Sequence, residues 1–359
     1  MKESLTSHSS PLTPDSSPLT PKRDSNMELL RILAMILIMV VHANFRALPK
    51  PDAVAVVANP SSAFLQFLAE GFSIVGVNVF VMLSGWYGIR PRLVRFTELL
   101  FQVLFFGLLC LGIECAVTGQ MPSGALLTVL MLDPGAYWFV KVYIALYLFA
   151  PVLNLFVEHA TRRQFEQVLM AVFGFMFVFG WLFKATTWIG EGYSLPWFMC
   201  LYLLARYMRV YQPRFTQFRR GTDLAIYLGV VAFLTVAVFV MRHYNLGGVL
   251  YFYCCPLVVL GAMYLLLFFS KLSPSFAGVG GGRLINWMGI SALSIYLTHS
   301  SNFLSKYYDG YIFQWFYEES RLTFILYAVL LIIVVFFGSI LIDKIRLLLW
   351  RAILLCLKH

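Results

Sequence analysis

One histidine and one arginine in the first apolar stretch of the chain have a spacing that places them on one helix face. Arg31 and His42 are 11 positions apart, which at about 100° per residue brings their directions to within roughly 20° of each other. Their separation along the axis is about 16 Å at 1.5 Å per residue, and Glu28 precedes Arg31 by one turn. A neutral histidine is suited to accept a proton at physiological pH. The pattern therefore predicts a functional histidine well inside an apolar helix, although boundary charges and a bundle hydrogen bond are the ordinary alternative.

Three further polar residues lie in apolar stretches and are expected at a similar depth. Glu114 is near the end of the third stretch, Lys141 is one turn into the fourth, and His299 is in the ninth. Together with His42 they could line a pocket that opens outward. The alternative is a set of interfacial anchors and snorkelling side chains, which suits Glu114 as well and His299 less well.

Small and basic residues meet at the end of the second apolar stretch. Ser84 and Gly85 permit close helix packing or close approach of the backbone to a ligand, and Arg92 and Arg95 follow in the next loop. Guanidinium groups bind phosphate bidentately, so this loop could receive a polyphosphate from the cytoplasm. By composition alone, an ordinary basic cytoplasmic loop explains the arginines better.

The composition excludes a soluble globular protein. The chain has 359 residues, of which 60% are hydrophobic and 12% charged, against about 25% charged in a soluble domain. Its mean hydropathy is +0.79, and apolar runs of transmembrane length recur without the alternation of an outer-membrane barrel. The six cysteines lack metal-ligand spacing with histidine, and no metal is expected. The net charge of +10 does not indicate nucleic acid, because the basic residues fall in alternate loops.

The hydropathy pattern predicts an all-α integral membrane protein, a single bundle of about ten transmembrane helices. Of the 27 basic residues, 20 fall on the side of the N-terminus, six on the other side, and Lys141 inside a helix. The positive-inside rule therefore places both termini in the cytoplasm. We expect a disordered tail over 1–26, a transmembrane domain over 27–350 and a short basic tail over 351–359. The predicted helices are 28–47, 64–88, 96–118, 136–157, 168–188, 193–211, 223–241, 249–270, 286–304 and 322–349.

Five sequence segments in order resemble the acyltransferase-3 family over about 26–345, nearly the whole chain. They are the Arg31-x10-His42 spacing, Phe80-Val81-Met82-Leu83-Ser84-Gly85, Arg92-x-x-Arg95, Tyr137-Trp138-Phe139 through Tyr147 to Pro151, and Ser294-Ile295-Tyr296-Leu297-x-His299.

The resemblance implies a multi-pass enzyme of the bacterial inner membrane. Such enzymes move an acyl group, usually acetyl from acetyl-CoA, onto a carbohydrate outside the cytoplasm, free or lipid-linked. His42 would be the essential histidine, with Arg31 as its motif partner, and Arg92 and Arg95 would meet the CoA phosphates. His42 could act as general base or become acylated itself, and the sequence leaves both open.

Lys141 matches no family rule, and only its depth makes it a candidate to stabilise negative charge on the thioester carbonyl. The chief rival interpretation is a transporter or flippase of a lipid-linked glycan or small solute. Transporters often contain internal repeats with matched broken helices, and no convincing repeat is visible here. A scaffolding membrane protein would have no need of buried His42, Lys141 and His299.

Overall fold

The computed structural model describes residues 24–184, 190–244, 246–273 and 276–357, and within these ranges every regular element is helical. Residues 1–23 of the expected N-terminal tail and 358–359 at the other end lie outside the described residues. The described α-helices are α1 Ser25–Val41, α2 Ala53–Ala58, α3 Pro60–Ser73, α4 Gly76–Tyr87, α5 Leu93–Thr118, α6 Ala125–Val129, α7 Trp138–His159, α8 Arg162–Phe175, α9 Leu195–Tyr211, α10 Arg220–His243, α11 Pro256–Ser270, α12 Gly278–Gly289, α13 Ala292–His299, α14 Ser305–Glu318 and α15 Arg321–Cys356.

Two segments are π-helical, His42–Arg46 directly after α1 and Met176–Leu182 directly after α8. In the part of the chain that the structure describes, eight helical segments are long and apolar enough to cross a membrane. The prediction of an all-α, multi-pass membrane protein is therefore confirmed. The eight segments are Ser25–Arg46, Pro60–Tyr87, Leu93–Thr118, Trp138–His159, Arg162–Leu182, Arg220–His243, Gly248–Ser270 and Arg321–Cys356.

Two predicted spans correspond to shorter helices. The stretch 193–211 forms α9, which has 17 residues. The stretch 286–304 is divided between α12 and α13, because the backbone leaves the helical path at Ser291, where φ is −96° and ψ is 10°. The Ser291 side chain accepts a hydrogen bond from Lys344 of α15 at 2.8 Å, which ties the break to a neighbouring helix.

The segment 305–318 was expected to be an outer loop, but it folds as α14. This helix buries Tyr308 and Ile312 against the bundle and leaves its other face exposed. The Tyr308 hydroxyl donates to the Met39 carbonyl of α1 at 3.0 Å. The C-terminal end of α1 is therefore covered by a helix.

The interior of the bundle is built around α1, α4, α9 and α11. Helix α4 is buried along nearly its whole length, and its contact with α9 is close because Gly85 lacks a side chain. A Cβ at Gly85 would lie 2.5 Å from the Tyr202 carbonyl oxygen, so no larger residue fits there without moving α9. Helix α15 lies at the periphery and exposes a long apolar face, including Leu322, Leu326 and Leu330.

Candidate active site

The π-helical turn at the end of α1 carries His42. In this turn the Ala47 amide donates to the His42 carbonyl at 3.0 Å, a five-residue spacing that is rare and is often found at functional sites. The Asn44 side-chain amide donates to the Gln66 carbonyl at 2.9 Å and to the Glu70 carboxylate at 3.0 Å. Since both acceptors belong to α3 and Glu70 is only 2% exposed, these bonds fix the turn, and with it His42, against α3.

His42 and His299 form a direct hydrogen bond, 2.9 Å between Nδ1 of His42 and Nε2 of His299. The Nδ1 atom of His299 lies 2.6 Å from the Ile295 carbonyl oxygen. A carbonyl oxygen can only accept, so Nδ1 of neutral His299 holds the proton and its Nε2 is an acceptor. His42 must then donate from Nδ1, which leaves the lone pair of its imidazole on Nε2. The hydrogen-bond network thus selects a tautomer of His42 with a basic Nε2.

A serine and an arginine complete the surroundings of this pair. The Ser300 hydroxyl lies 3.1 Å from His42 Nδ1 and accepts from Arg46 Nη1 at 3.3 Å. Arg46 Nη2 also donates to the His299 carbonyl at 3.3 Å. The guanidinium is held by Asp309, whose Oδ1 accepts from Nε at 3.1 Å and from Nη2 at 2.8 Å. Arg46 is therefore the cation beside the two histidines.

Sequence reasoning missed Arg46 and Asp309 as site residues. Arg46 was counted only as an outer basic residue, and Asp309 lies in a segment that was expected to be a loop. One signal was available: Arg46 follows His42 by four positions, the spacing of neighbours on a helix face.

Lys141 and Glu114, which were expected near His42 and His299, have other partners. Lys141 donates to the backbone carbonyl of Asp133 and, at 3.2 Å, to that of Pro134, both in the loop before α7. Neither histidine is among the hydrogen-bond partners of Lys141 in the described ranges.

Glu114 pairs with a cation of α14. It accepts from Lys306 and, at 3.0 Å, from the Tyr307 hydroxyl. The hydrogen bond with Glu114 raises the pKa of the Lys306 ammonium. This cluster ties α5 to α14, and neither histidine of the pair is among the hydrogen-bond partners of Glu114 in the described ranges.

Arg31 and Glu28 form an ion pair at 2.8 Å near the other end of α1. Glu28 packs against Gly289 of α12, where a Cβ would lie 2.3 Å from the Glu28 Oε2 atom. Arg31 therefore lies on the helix that carries His42, but at its opposite end, where it can act on His42 only through α1.

The residues expected to bind the acyl donor lie around the turn between α4 and α5. Ser84 and Gly85 are in the last turns of α4, Arg92 is the N-cap of α5, and Arg95, which was expected in the loop, lies in the first turn of α5. The side chains of Arg92 and Arg95 are exposed and make no hydrogen bond within the described part of the chain. Tyr147 fixes the backbone here: its hydroxyl accepts from the Arg92 amide at 2.9 Å and lies 3.2 Å from the Arg92 carbonyl oxygen. Ser84 lies 3.1 Å from the Tyr143 hydroxyl.

Arg206 of α9 adds a further cation at this end. Its Nη1 donates to the Trp86 carbonyl at 3.5 Å, and its buried Nε has no partner among the described residues. The C-terminal end of α4 is thus surrounded by guanidinium groups that have unused hydrogen-bond donors.

Comparison with known proteins identifies the family. The acyltransferase-3 family model, described as an acyltransferase domain, matches residues 24–344. No curated protein and no solved structure matches the chain. The match covers nearly the whole chain and includes both histidines and all the arginines discussed above. The chain belongs to the acyltransferase-3 family.

Proposed function

We propose that the protein transfers an acyl group, acetyl from acetyl-CoA, to a hydroxyl group of a glycan on the outer side of the bacterial plasma membrane. Membership of the acyltransferase-3 family supports acyl transfer. The distribution of basic residues supports a cytoplasmic position for both termini. The family resemblance supports a cytoplasmic donor and an external acceptor. In this arrangement α9 and the α12–α13 pair supply two further crossings, which gives ten.

The observation that carries the proposal is the His42–His299 hydrogen bond at 2.9 Å. The free Nε2 of His42 can take the proton of the acceptor hydroxyl as its oxygen attacks the thioester carbonyl. The carbon–sulfur bond then breaks, and the electron pair leaves with the CoA thiolate. The imidazolium formed on His42 keeps its Nδ1–H bond to His299, which accepts it without losing its own bond to Ile295.

A relay is the second route through the same nitrogen. His42 Nε2 attacks the thioester carbonyl, the carbon–sulfur bond breaks and CoA leaves as thiolate. The glycan hydroxyl then attacks the acyl-imidazolium, the carbon–nitrogen bond breaks, neutral His42 is regenerated and the hydroxyl proton is released. Both routes need His42, and both need His299 as its orienting partner.

Charge develops on the carbonyl oxygen in either route, and a cation near it lowers the barrier. Arg46 is the first candidate because it contacts the His299 carbonyl and Ser300. Lys141 is the second candidate. To contact the substrate it would have to break its hydrogen bonds to the backbone carbonyls of Asp133 and Pro134. Arg31 acts at a distance, by holding the inner end of α1 through Glu28.

The donor site is proposed at the turn between α4 and α5. Arg92 and Arg95 would bind the CoA phosphates, since their guanidinium groups have free donors. Ser84 and Gly85 would flank the entry of the pantetheine arm, which extends up the bundle toward His42.

The test is acyl transfer from labelled acetyl-CoA to glycan in proteoliposomes, with wild type, His42→Ala and Arg92→Ala/Arg95→Ala at matched membrane levels. His159→Ala, an exposed histidine at the end of α7, is the control. We expect His42→Ala to lose transfer about a hundredfold or more and the control to retain it. Unchanged transfer by His42→Ala would refute the assignment. Glycan export that depends on the protein, without transfer from any acyl donor, would favour the transporter interpretation.

A further inference from the structure

An apolar groove lies on the face of α1 that points away from the histidine pair. It has a volume of about 440 Å³, within the range of pockets that bind small molecules. Helices α1, α3 and α15 form its walls, with Phe316 of α14 at one side. Representative lining residues are Val40, Ala43, Leu65, Phe72, Phe324 and Ala328.

The groove and the histidine pair share the π-helical turn. Ala43 and Asn44 of this turn line the groove. His42, the first residue of the same turn, contacts His299 of α13 on the other side. The groove therefore ends at the same end of α1 as the proposed acyl-transfer centre. If a ligand fills the groove, the part of it that extends out of the groove at this end lies beside the turn that holds His42.

Polar groups with unused hydrogen-bonding capacity lie at this end of the groove. Arg321, the first residue of α15, donates to the Ser61 hydroxyl at 3.0 Å and has no acidic partner among the described residues. Gln66 presents a buried side-chain oxygen that has no hydrogen-bond partner in the described ranges. A cation without a counter-ion suits a phosphate, and an unpaired amide end suits a hydroxyl group.

The exposed apolar surface of α15 indicates which kind of ligand can enter the groove. Leu322, Leu326 and Leu330, on the helix that forms one wall, are exposed apolar residues of a membrane-crossing segment. The groove is therefore bordered by the surface that faces lipid. A hydrocarbon chain can enter it from the bilayer, and its head group would then meet Arg321 and Gln66.

We propose that the groove binds the hydrocarbon chain of a phosphate-linked glycolipid, which is the acceptor of the acyl group. The chain lies between α3 and α15, the phosphate pairs with Arg321, and a hydroxyl group near the phosphate meets Gln66. The sugar that follows is presented next to the His42 turn. This inference rests on the proposed function and narrows its acceptor to a glycan carried by a membrane lipid.

The first arm of the test measures binding, without any acyl donor. The probe is a radiolabelled polyprenyl-phosphate-linked disaccharide in phosphatidylcholine vesicles that contain the purified protein. Ala328→Trp and Ala69→Phe fill the groove from opposite walls, and Leu330→Trp adds the same bulk on the lipid-facing side of α15. We expect at least a tenfold loss of affinity in both filling variants, a severalfold loss in Arg321→Gln, and wild-type affinity in Leu330→Trp.

Two results would overturn the glycolipid site. One is wild-type affinity in whichever filling variants fold, judged by their thermal unfolding. The other is equal displacement of the probe by phosphatidylglycerol, which would mean that the groove holds ordinary membrane phospholipid.

The second arm separates this proposal from the proposed function. Acyl transfer is measured with the lipid-linked disaccharide and with the free disaccharide at high concentration. The filling variants should lose transfer to the lipid-linked acceptor at least tenfold and keep their transfer to the free one. If the wild type binds the probe in the first arm but transfers to neither acceptor, the proposed function fails and the lipid site stands. If the variants lose transfer to both acceptors equally, the groove does not select the lipid and its role as acceptor site is wrong.

Discussion

The two ends of α1 and its neighbours differ in how their polar groups are satisfied. At the His42 end, the two histidines, Ser300, Arg46 and Asp309 are linked by hydrogen bonds of 2.8–3.3 Å. At the other end, Arg92 and Arg95 have exposed guanidinium groups without partners among the described residues.

This difference is the one we expect if the His42 end is a preorganised centre and the end with Arg92 and Arg95 is an open binding surface. A group that acts in a transition state must already be oriented, because reorientation during the reaction raises the barrier. Groups that bind a flexible, highly charged ligand can wait unpaired in water, since the ligand supplies their partners. We therefore expect substitutions at the His42 end to change the turnover number. Substitutions of Arg92 and Arg95 should instead change the affinity for acetyl-CoA.

The largest effect in this comparison is expected for Arg46→Gln. Removal of the cation beside the histidines should lower kcat about a hundredfold, the usual cost of losing one stabilising donor, with little change in the KM for acetyl-CoA. Lys50→Gln, at an exposed lysine in the same region, is the control. A parallel Lys141→Gln variant ranks the two candidate cations, and a larger loss there than in Arg46→Gln would reverse their roles.

His299→Ala should lower kcat by about tenfold to a hundredfold, as is common when the partner that orients a functional histidine is lost. The reason is that His42 Nδ1–H loses its acceptor and the imidazole is free to change tautomer. His299→Gln restores an acceptor oxygen near the former Nε2 position and should recover part of the rate. Equal rates in the two variants would contradict a role for His299 as the hydrogen-bond acceptor that orients His42.

Arg92→Ala/Arg95→Ala should raise the KM for acetyl-CoA about tenfold while kcat stays close to the wild-type value. The wild-type KM should rise with ionic strength, because salt screens exposed charges, and the double variant should respond less. Arg219→Ala, another exposed arginine on the predicted cytoplasmic side, provides the comparison. A fall in kcat with an unchanged KM would contradict a phosphate-binding role.

The smallest effect is expected at the α3 anchor of the π-helical turn. Glu70→Gln keeps an acceptor for Asn44 and should change kcat no more than about twofold. Glu70→Ala leaves a buried donor unpaired, which costs about 1–3 kcal/mol of stability, and should lower both Tm and kcat. Measurement of both quantities in proteoliposomes checks this, and an unchanged kcat in Glu70→Ala would mean that the anchor does not position His42.

The sequence was sufficient for the features that depend on helical periodicity. The spacing of Glu28, Arg31 and His42 predicted one helix with an ion pair at one end, and the structure has that pair at 2.8 Å. His42 and His299 were expected to lie near each other, and the structure joins them by a hydrogen bond of 2.9 Å. These features need only the geometry of a regular helix and the length of a membrane span.

The features that the sequence did not predict depend on contacts between helices that are distant in the chain. The π-helical turn depends on Asn44 bonding across to α3, and Glu70 carries no local signal of that role. The break between α12 and α13 contains no proline and depends on a bond from Lys344. Helix α14 was missed because its polar and aromatic composition resembles that of a loop, and Asp309 was missed with it.

The most direct test of the account is the tautomer of His42, measured by solid-state nitrogen-15 NMR on protein with labelled histidines in lipid bilayers. The His42 signals are assigned by their absence in His42→Gln. We predict a neutral ring with the proton on Nδ1, bonded to His299, and an unprotonated Nε2. A proton on Nε2, or a His42 tautomer that stays the same in His299→Ala, would contradict it.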